Sequence, residues 1–202
     1  MKRLVAYHGL KPEENIFRFW GGQVASKIEE NAYIKKAKIH RKIPNTIQIE
    51  VEERTHYYSA EFLGKYAYIG KQGYILEIAE DSKQKIILQG ISTPEDQVVE
   101  KNRLNEQDIE KIEDVMKIMG VVKEYELDGK ATSIDIHDKN NYSIYFEEEK
   151  KRVYLGDSTN LSNKLLYVNA IMEEEKGKAG EIFANGDVNQ KFKVYFKESL
   201  NI

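Results

Sequence analysis

The residues best placed to do chemistry sit in two short runs. Gly156-Asp157-Ser158-Thr159-Asn160 offers a hydroxyl in a turn, and Asp135-Ile136-His137-Asp138 offers an imidazole beside carboxylates. Acyl-group hydrolysis needs such a serine, with a base that an acid orients. Alternation argues against that assembly: with Ile134 and Ile136 facing inward, Asp135 and His137 lie on the solvent face of a strand. Asp157 to Asn160 are better explained as a turn that caps the following helix. The four histidines show no H-E-x-x-H or other close ligand spacing, and cysteine is absent, so no metal site, thiolate nucleophile or disulfide framework is expected. The reading is no catalytic residue, no cofactor and no metal.

The elements around these runs are legible from hydrophobic period. Lys2–Leu10 and Gln23–Asn31 read as helices. Ile34–Ile43 and Thr46–Arg54 alternate as strands, joined at Pro44-Asn45 into a hairpin. Tyr66–Ile69 and Tyr74–Ile78 flank Gly70-Lys71-Gln72-Gly73, a second hairpin, and Lys85–Gln89 is a further strand. Asn105 caps a helix through Ile109, Ile112, Met116 and Met119 that Gly120 should stop. Strands are expected at Val122–Leu127, Ser133–His137, Tyr142–Glu147 and Arg152–Leu155. A helix follows over Asn160–Met172, then strands at Glu181–Ala184 and Phe192–Lys197. The frequent tyrosines (Tyr57, Tyr58, Tyr66, Tyr68, Tyr74, Tyr142, Tyr145) read as strand residues that pack, rather than a ligand platform.

Composition bounds the function classes. The chain has 202 residues, 41% hydrophobic and 32% charged, with a net charge of -3. That describes a globular protein able to bury about 70% of its unfolded surface, without metal or disulfide staples. Interleaved acids and bases of near-zero sum do not point to nucleic acid, and no small-molecule substrate is implied. No apolar run reaches the roughly 18 residues needed to cross a bilayer. The basic run Lys35, Lys36, Lys38, Arg41, Lys42 reads first as a solvated strand face opposite Glu50 and Glu52, with anionic lipid or an acidic partner as the alternative.

Residues 31–54, NAYIKKAKIHRKIPNTIQIEVEER, carry a recognisable order: Tyr33, Ile34, Ala37, Ile39 and Arg41 in one strand, Pro44 in the turn, then Ile49, Val51, Glu53 and Arg54. Upstream stands LKPEENIFRF (10–19), with Glu14 where glycine is common. Downstream come Tyr68-Ile69-Gly70-Lys71-Gln72-Gly73, Leu88-Gln89-Gly90, Arg152-Val153-Tyr154-Leu155-Gly156, Lys164-Leu165 and Gly180-Glu181-Ile182. This series resembles the FtsQ/DivIB family of bacterial cell-division proteins, in which a POTRA domain precedes a β domain.

The resemblance implies an α+β fold: a POTRA-like helix-helix-hairpin lobe at 1–54, then a β-rich domain with two amphipathic helices at 55–202. A POTRA domain opens on a strand, which is expected to be missing here together with the family's transmembrane helix, through truncation or a late start codon. Open backbone groups should leave that lobe less ordered than the β lobe, or paired with a symmetry mate. The function implied is a non-catalytic divisome scaffold on the extracytoplasmic side of the cell membrane at the division septum. It would bind FtsB/DivIC and FtsL-type partners and help couple assembly to septal wall synthesis. The rival is a POTRA-bearing chaperone or transport module for unfolded clients. The expected partner surface is the last strand, Phe192, Lys193, Val194, Tyr195, Phe196, Lys197, Glu198 and Ser199, acting by main-chain pairing. Proline at Tyr195 or Lys197 is the probe, with both parities to be tried.

Overall fold

The computed structural model describes residues 21–83, 85–186 and 193–199. The expected helix at Lys2–Leu10, the run 10–19 and Phe192 lie outside the described residues. The chain divides into two compact units, Met1–Thr55 and His56–Ile202.

In the first unit, helix α1 (Gly21–Glu29) precedes an antiparallel hairpin of β1 (Ile34–Lys42) and β2 (Thr46–Glu53). Ile28 on α1 meets Ile34 and Ala37 on β1 to form a small core, with Val24, Ala25, Ile39 and Ile49 packed around it. The Arg54 guanidinium donates to the carbonyls of Ala32 and Ile34 at 3.2 and 2.7 Å, tying the end of the hairpin to its beginning.

Among the described residues the second unit is one mixed sheet of nine strands. Strands β3 (His56–Phe62), β4 (Lys65–Gly70) and β5 (Ile75–Ala79) form a meander, and β6 (Ile86–Gln89) runs parallel to β3. Helix α2 (Glu106–Glu124) crosses to β7 (Ser133–Asp135), which continues through β8 (Tyr142–Phe146) and β9 (Lys151–Gly156). Helix α3 (Leu161–Glu174) crosses to β10 (Gly180–Phe183), parallel to β9. Strand β11 (Tyr195–Glu198) closes antiparallel to β10. Parallel neighbours need such crossovers, and their helices bury the apolar stripe against one sheet face. Ile112, Val115, Ile118 and Val122 of α2 and Leu165 and Val168 of α3 are fully buried against Ile134, Ile144, Val153 and Ile182. The fold is α+β.

Two expectations are corrected. Val122–Leu127 is not a strand: α2 runs on through Gly120 to Glu124, because Val122 lies one helical turn beyond Ile118 on the buried face. Gly120 is exposed, with open space around it, so its weak helix preference costs little against that burial. Strand β3 is an addition. Its hairpin turns on Leu63-Gly64, both at positive φ (51° and 74°), a conformation that leucine rarely advertises.

Candidate functional site

Strand β11 is the last strand of the sheet, and its position follows from what lies beneath it. Val194 and Phe196 pack toward the helices, on the core, whereas Tyr195 and Lys197 stand on the opposite face. The strand is shorter than expected, four residues, with Lys193 and Val194 before it and Ser199 after it. The amide of Ser199 donates to the Ala179 carbonyl at 2.9 Å. In an antiparallel ladder amides alternate, so those of Tyr195 and Lys197 also face β10, and those of Phe196 and Glu198 face away. Proline at Tyr195 or Lys197 is therefore a probe of the fold, and the outward positions are Phe196 and Glu198.

The sheet face away from the helices carries two ordered rows that end at this edge. Tyr154, Phe183 and Tyr195 are register partners and stack ring on ring, at 5.0 and 4.9 Å between centroids. Two residues along each strand, on the same face, Arg152, Glu181 and Lys197 alternate in sign, with the Arg152 guanidinium 5.3 Å from the Tyr145 ring. The Tyr154 hydroxyl donates to Glu181 at 2.9 Å. Burial, helped by that bond, pushes the phenol up. Tyr195 remains 55% exposed, leaving the outer face of the stack open. Tyr167 of α3 joins Lys193, Val194 and Tyr195 around a shallow cavity of about 430 Å³.

The opposite edge of the sheet is built differently. Ile75 donates to the Asn102 carbonyl at 2.9 Å and accepts from the Lys101 amide at 2.8 Å, so the segment 101–104 runs alongside the start of β5. Further along, the Ile78 amide donates to the Glu100 carboxylate at 3.3 Å. A covered, acid-capped edge resists strand addition.

The hydrolytic candidates do not assemble as a charge-relay set. The Ser158 hydroxyl donates to Asp114 of α2 at 2.9 Å, and the Tyr142 hydroxyl donates to the other oxygen of that carboxylate at 3.1 Å. His137 pairs with Asp135 at 2.8 Å on the solvent side, its side chain 71% exposed. Asp157 accepts from the Thr159 amide and hydroxyl and from Lys164. These hydrogen bonds from Thr159 and Lys164 hold its carboxyl at about 2. It thus secures the α3 entry, a task the Asn160 side chain does not share. Among the described residues no group of three His, Asp or Glu could hold a metal ion.

Sequence reasoning missed Asp108. It is fully buried and accepts from the amides and hydroxyls of both Ser92 and Thr93, at 2.6–3.0 Å. Burial pushes this carboxyl up, but the bonds from Thr93 and Ser92 outweigh it and hold it below the usual range. The only signal was an acid in the first turn of a capped helix, and Asn105 does accept from the Asp108 amide at 2.8 Å.

Residues 2–54 match the family described as "POTRA domain, FtsQ-type". Curated relatives are the "Cell division protein DivIB" of Clostridium tetani, 26% identical over 90% of this chain and 67% of the relative, and that of Clostridium botulinum, 27% identical over 92% and 73%. The DivIB of Clostridium acetobutylicum is 27% identical over 77% of this chain and 61% of its own length. Among the described residues no helix is long and apolar enough to cross a membrane. The motif series, the hairpin that carries it and these matches agree: residues 2–54 are similar to the FtsQ-type POTRA domain, and most of the chain is similar to DivIB cell-division proteins.

Proposed function

We propose that this chain is a non-catalytic scaffold of the division machinery whose β11 edge receives an extended segment of an FtsB/DivIC-type partner. An FtsL-type protein completes the assembly, held on the outer face of the membrane and coupled to septal wall synthesis. The observation that carries this reading is the asymmetry of the two sheet edges. The amides of Phe196 and Glu198 point outward from β11, and among the described residues no strand lies beyond them. The β5 edge, by contrast, is occupied by 101–104 and the Glu100 carboxylate. Strand addition takes its affinity from main-chain bonds and its register from alternate side chains. The open ends of the aromatic and charged rows, Tyr195 and Lys197, supply such a register.

Glu198 is exposed, so its replacement tests the edge without disturbing the core. Glu198→Pro removes an outward donor and is expected to weaken binding of the partner's extracytoplasmic region about tenfold or more, while Glu198→Ala costs about threefold or less. Isothermal titration reads both, with circular dichroism confirming the fold. A folded Glu198→Pro variant that binds with wild-type affinity would overturn the edge as the interface.

A further inference from the structure

Among the described residues two lysines are buried, and they are satisfied differently. The Lys164 ammonium pairs with the Asp157 carboxylate at 2.9 Å. Lys151 is fully enclosed and donates to the carbonyls of Lys178 at 2.7 Å and Glu149 at 3.3 Å; among the described residues no carboxylate lies within ion-pair distance of it. Taking a cation out of water without a paired charge is costly, so such a site needs a compensating contact. The Phe196 ring supplies one, its centroid 5.9 Å from the ammonium. An aromatic face attracts a cation most strongly where water is excluded.

Register explains how the two residues meet. Lys151, Gly180 and Glu198 are partners in one row across β9, β10 and β11. Gly180 leaves a gap in that row, and the edge of the Phe196 ring occupies the space a Cβ there would need. The Lys178 carbonyl that Lys151 holds lies one residue before the Ala179 carbonyl, which accepts from the Ser199 amide at 2.9 Å. One ammonium thus touches both sides of the β10–β11 junction: the chain entering β10 and the ring anchored on β11. We infer that Lys151 is the positioning residue of the β11 edge, its charge holding Phe196 on the sheet so that the outward amides of Phe196 and Glu198 stand ready for an incoming strand. This rests on the reading of β11 as the partner edge. A strand of four residues at the end of a sheet frays unless it is anchored, and an edge held in its pairing conformation lowers the ordering cost of binding.

The test is hydrogen exchange on the full chain without partner, followed by titration with the partner's extracytoplasmic region. Lys151→Met keeps most of the side-chain bulk and removes the charge. Protection of the Tyr195 and Lys197 amides is expected to fall about tenfold, with β7 and β8 unchanged. Lys151→Arg keeps the charge and is expected to stay within about threefold of wild type. A trifluorinated phenylalanine at position 196 keeps the ring's bulk and drains its face of electron density, so protection should fall about fivefold. That variant leaves Lys151 in place and decides the case if Lys151→Met does not fold. Equal protection in the Met and Arg variants, or native protection with the fluorinated ring, overturns the inference. So does a loss spread evenly over β7 to β11, which would make the lysine a strut of the whole sheet. Partner affinity of Lys151→Met is expected to fall by a factor similar to the loss of protection. Lost protection with wild-type affinity would overturn the edge as the interface, whereas native protection overturns the role of Lys151 alone.

Discussion

The ring of Phe196 lies over Gly180: a Cβ added at Gly180 would stand 2.5 Å from the ring edge. The two residues belong to facing strands, and beside them Lys151 is fully buried, donating to the Lys178 carbonyl at 2.7 Å. Burial pushes the Lys151 ammonium down, with Glu149 and Glu175 countering part of that effect. The missing side chain at position 180 is thus what lets β11 settle against the sheet.

Gly180→Ala is expected to displace Phe196 and loosen β11 without unfolding the sheet beneath it. Hydrogen exchange should show lost protection at the amides of Tyr195 and Lys197, with β7 to β9 unchanged. The added methyl would also meet the Lys197 carbonyl, so unaltered protection at Tyr195 and Lys197 would show that both ring and backbone accommodate it and would overturn this role for Gly180.

Asp108 is expected to make the second unit acid-labile. Its folded carboxyl sits below the unfolded value, so the stabilisation is complete above the ordinary aspartate range and is lost as pH falls through the folded pKa. Asp157, held at about 2, adds to the same slope between about pH 4 and pH 2. Asp108→Ala leaves the amides and hydroxyls of Ser92 and Thr93 without their acceptor, a cost of about 3 kcal/mol or more. Urea titrations across that pH range should show the wild-type slope flattened in the variant.

Gly120→Ala is expected to stabilise the second unit by about 0.5–1 kcal/mol. The position is helical and exposed, and a Cβ there meets nothing within 4 Å. A fall in melting temperature would show that the glycine is kept for some contact the chain makes elsewhere.

Ser158→Ala is expected to leave cell division intact and to lower stability by about 1 kcal/mol, the worth of one hydrogen bond to Asp114. Stoichiometric labelling of Ser158 by a serine-directed covalent probe would contradict the non-catalytic reading.

Much of this molecule is settled locally, and the sequence determined those parts by itself. The β1–β2 hairpin, the β4–β5 hairpin, the Asn105 cap and the inward face of Ile134 and Ile136 all follow from period, turn residues and capping within a few residues. The family motif followed from the same local order. The end of α2 was not local: glycine and β-branched valines favour a stop, and only burial of Val122 beneath the sheet carries the helix to Glu124. Strand β3 likewise depends on β4 and β6 lying on either side of it. The candidate site divides the same way. Alternation placed Tyr195 and Lys197 on one face, but which amides point outward depends on the register with β10. The stack of Tyr154, Phe183 and Tyr195 and the shielding of β5 by Glu100 join residues distant in the chain. Side-chain period is a property of one strand, whereas an open edge is a property of the whole sheet, so only the tertiary structure decided which amides of β11 point outward.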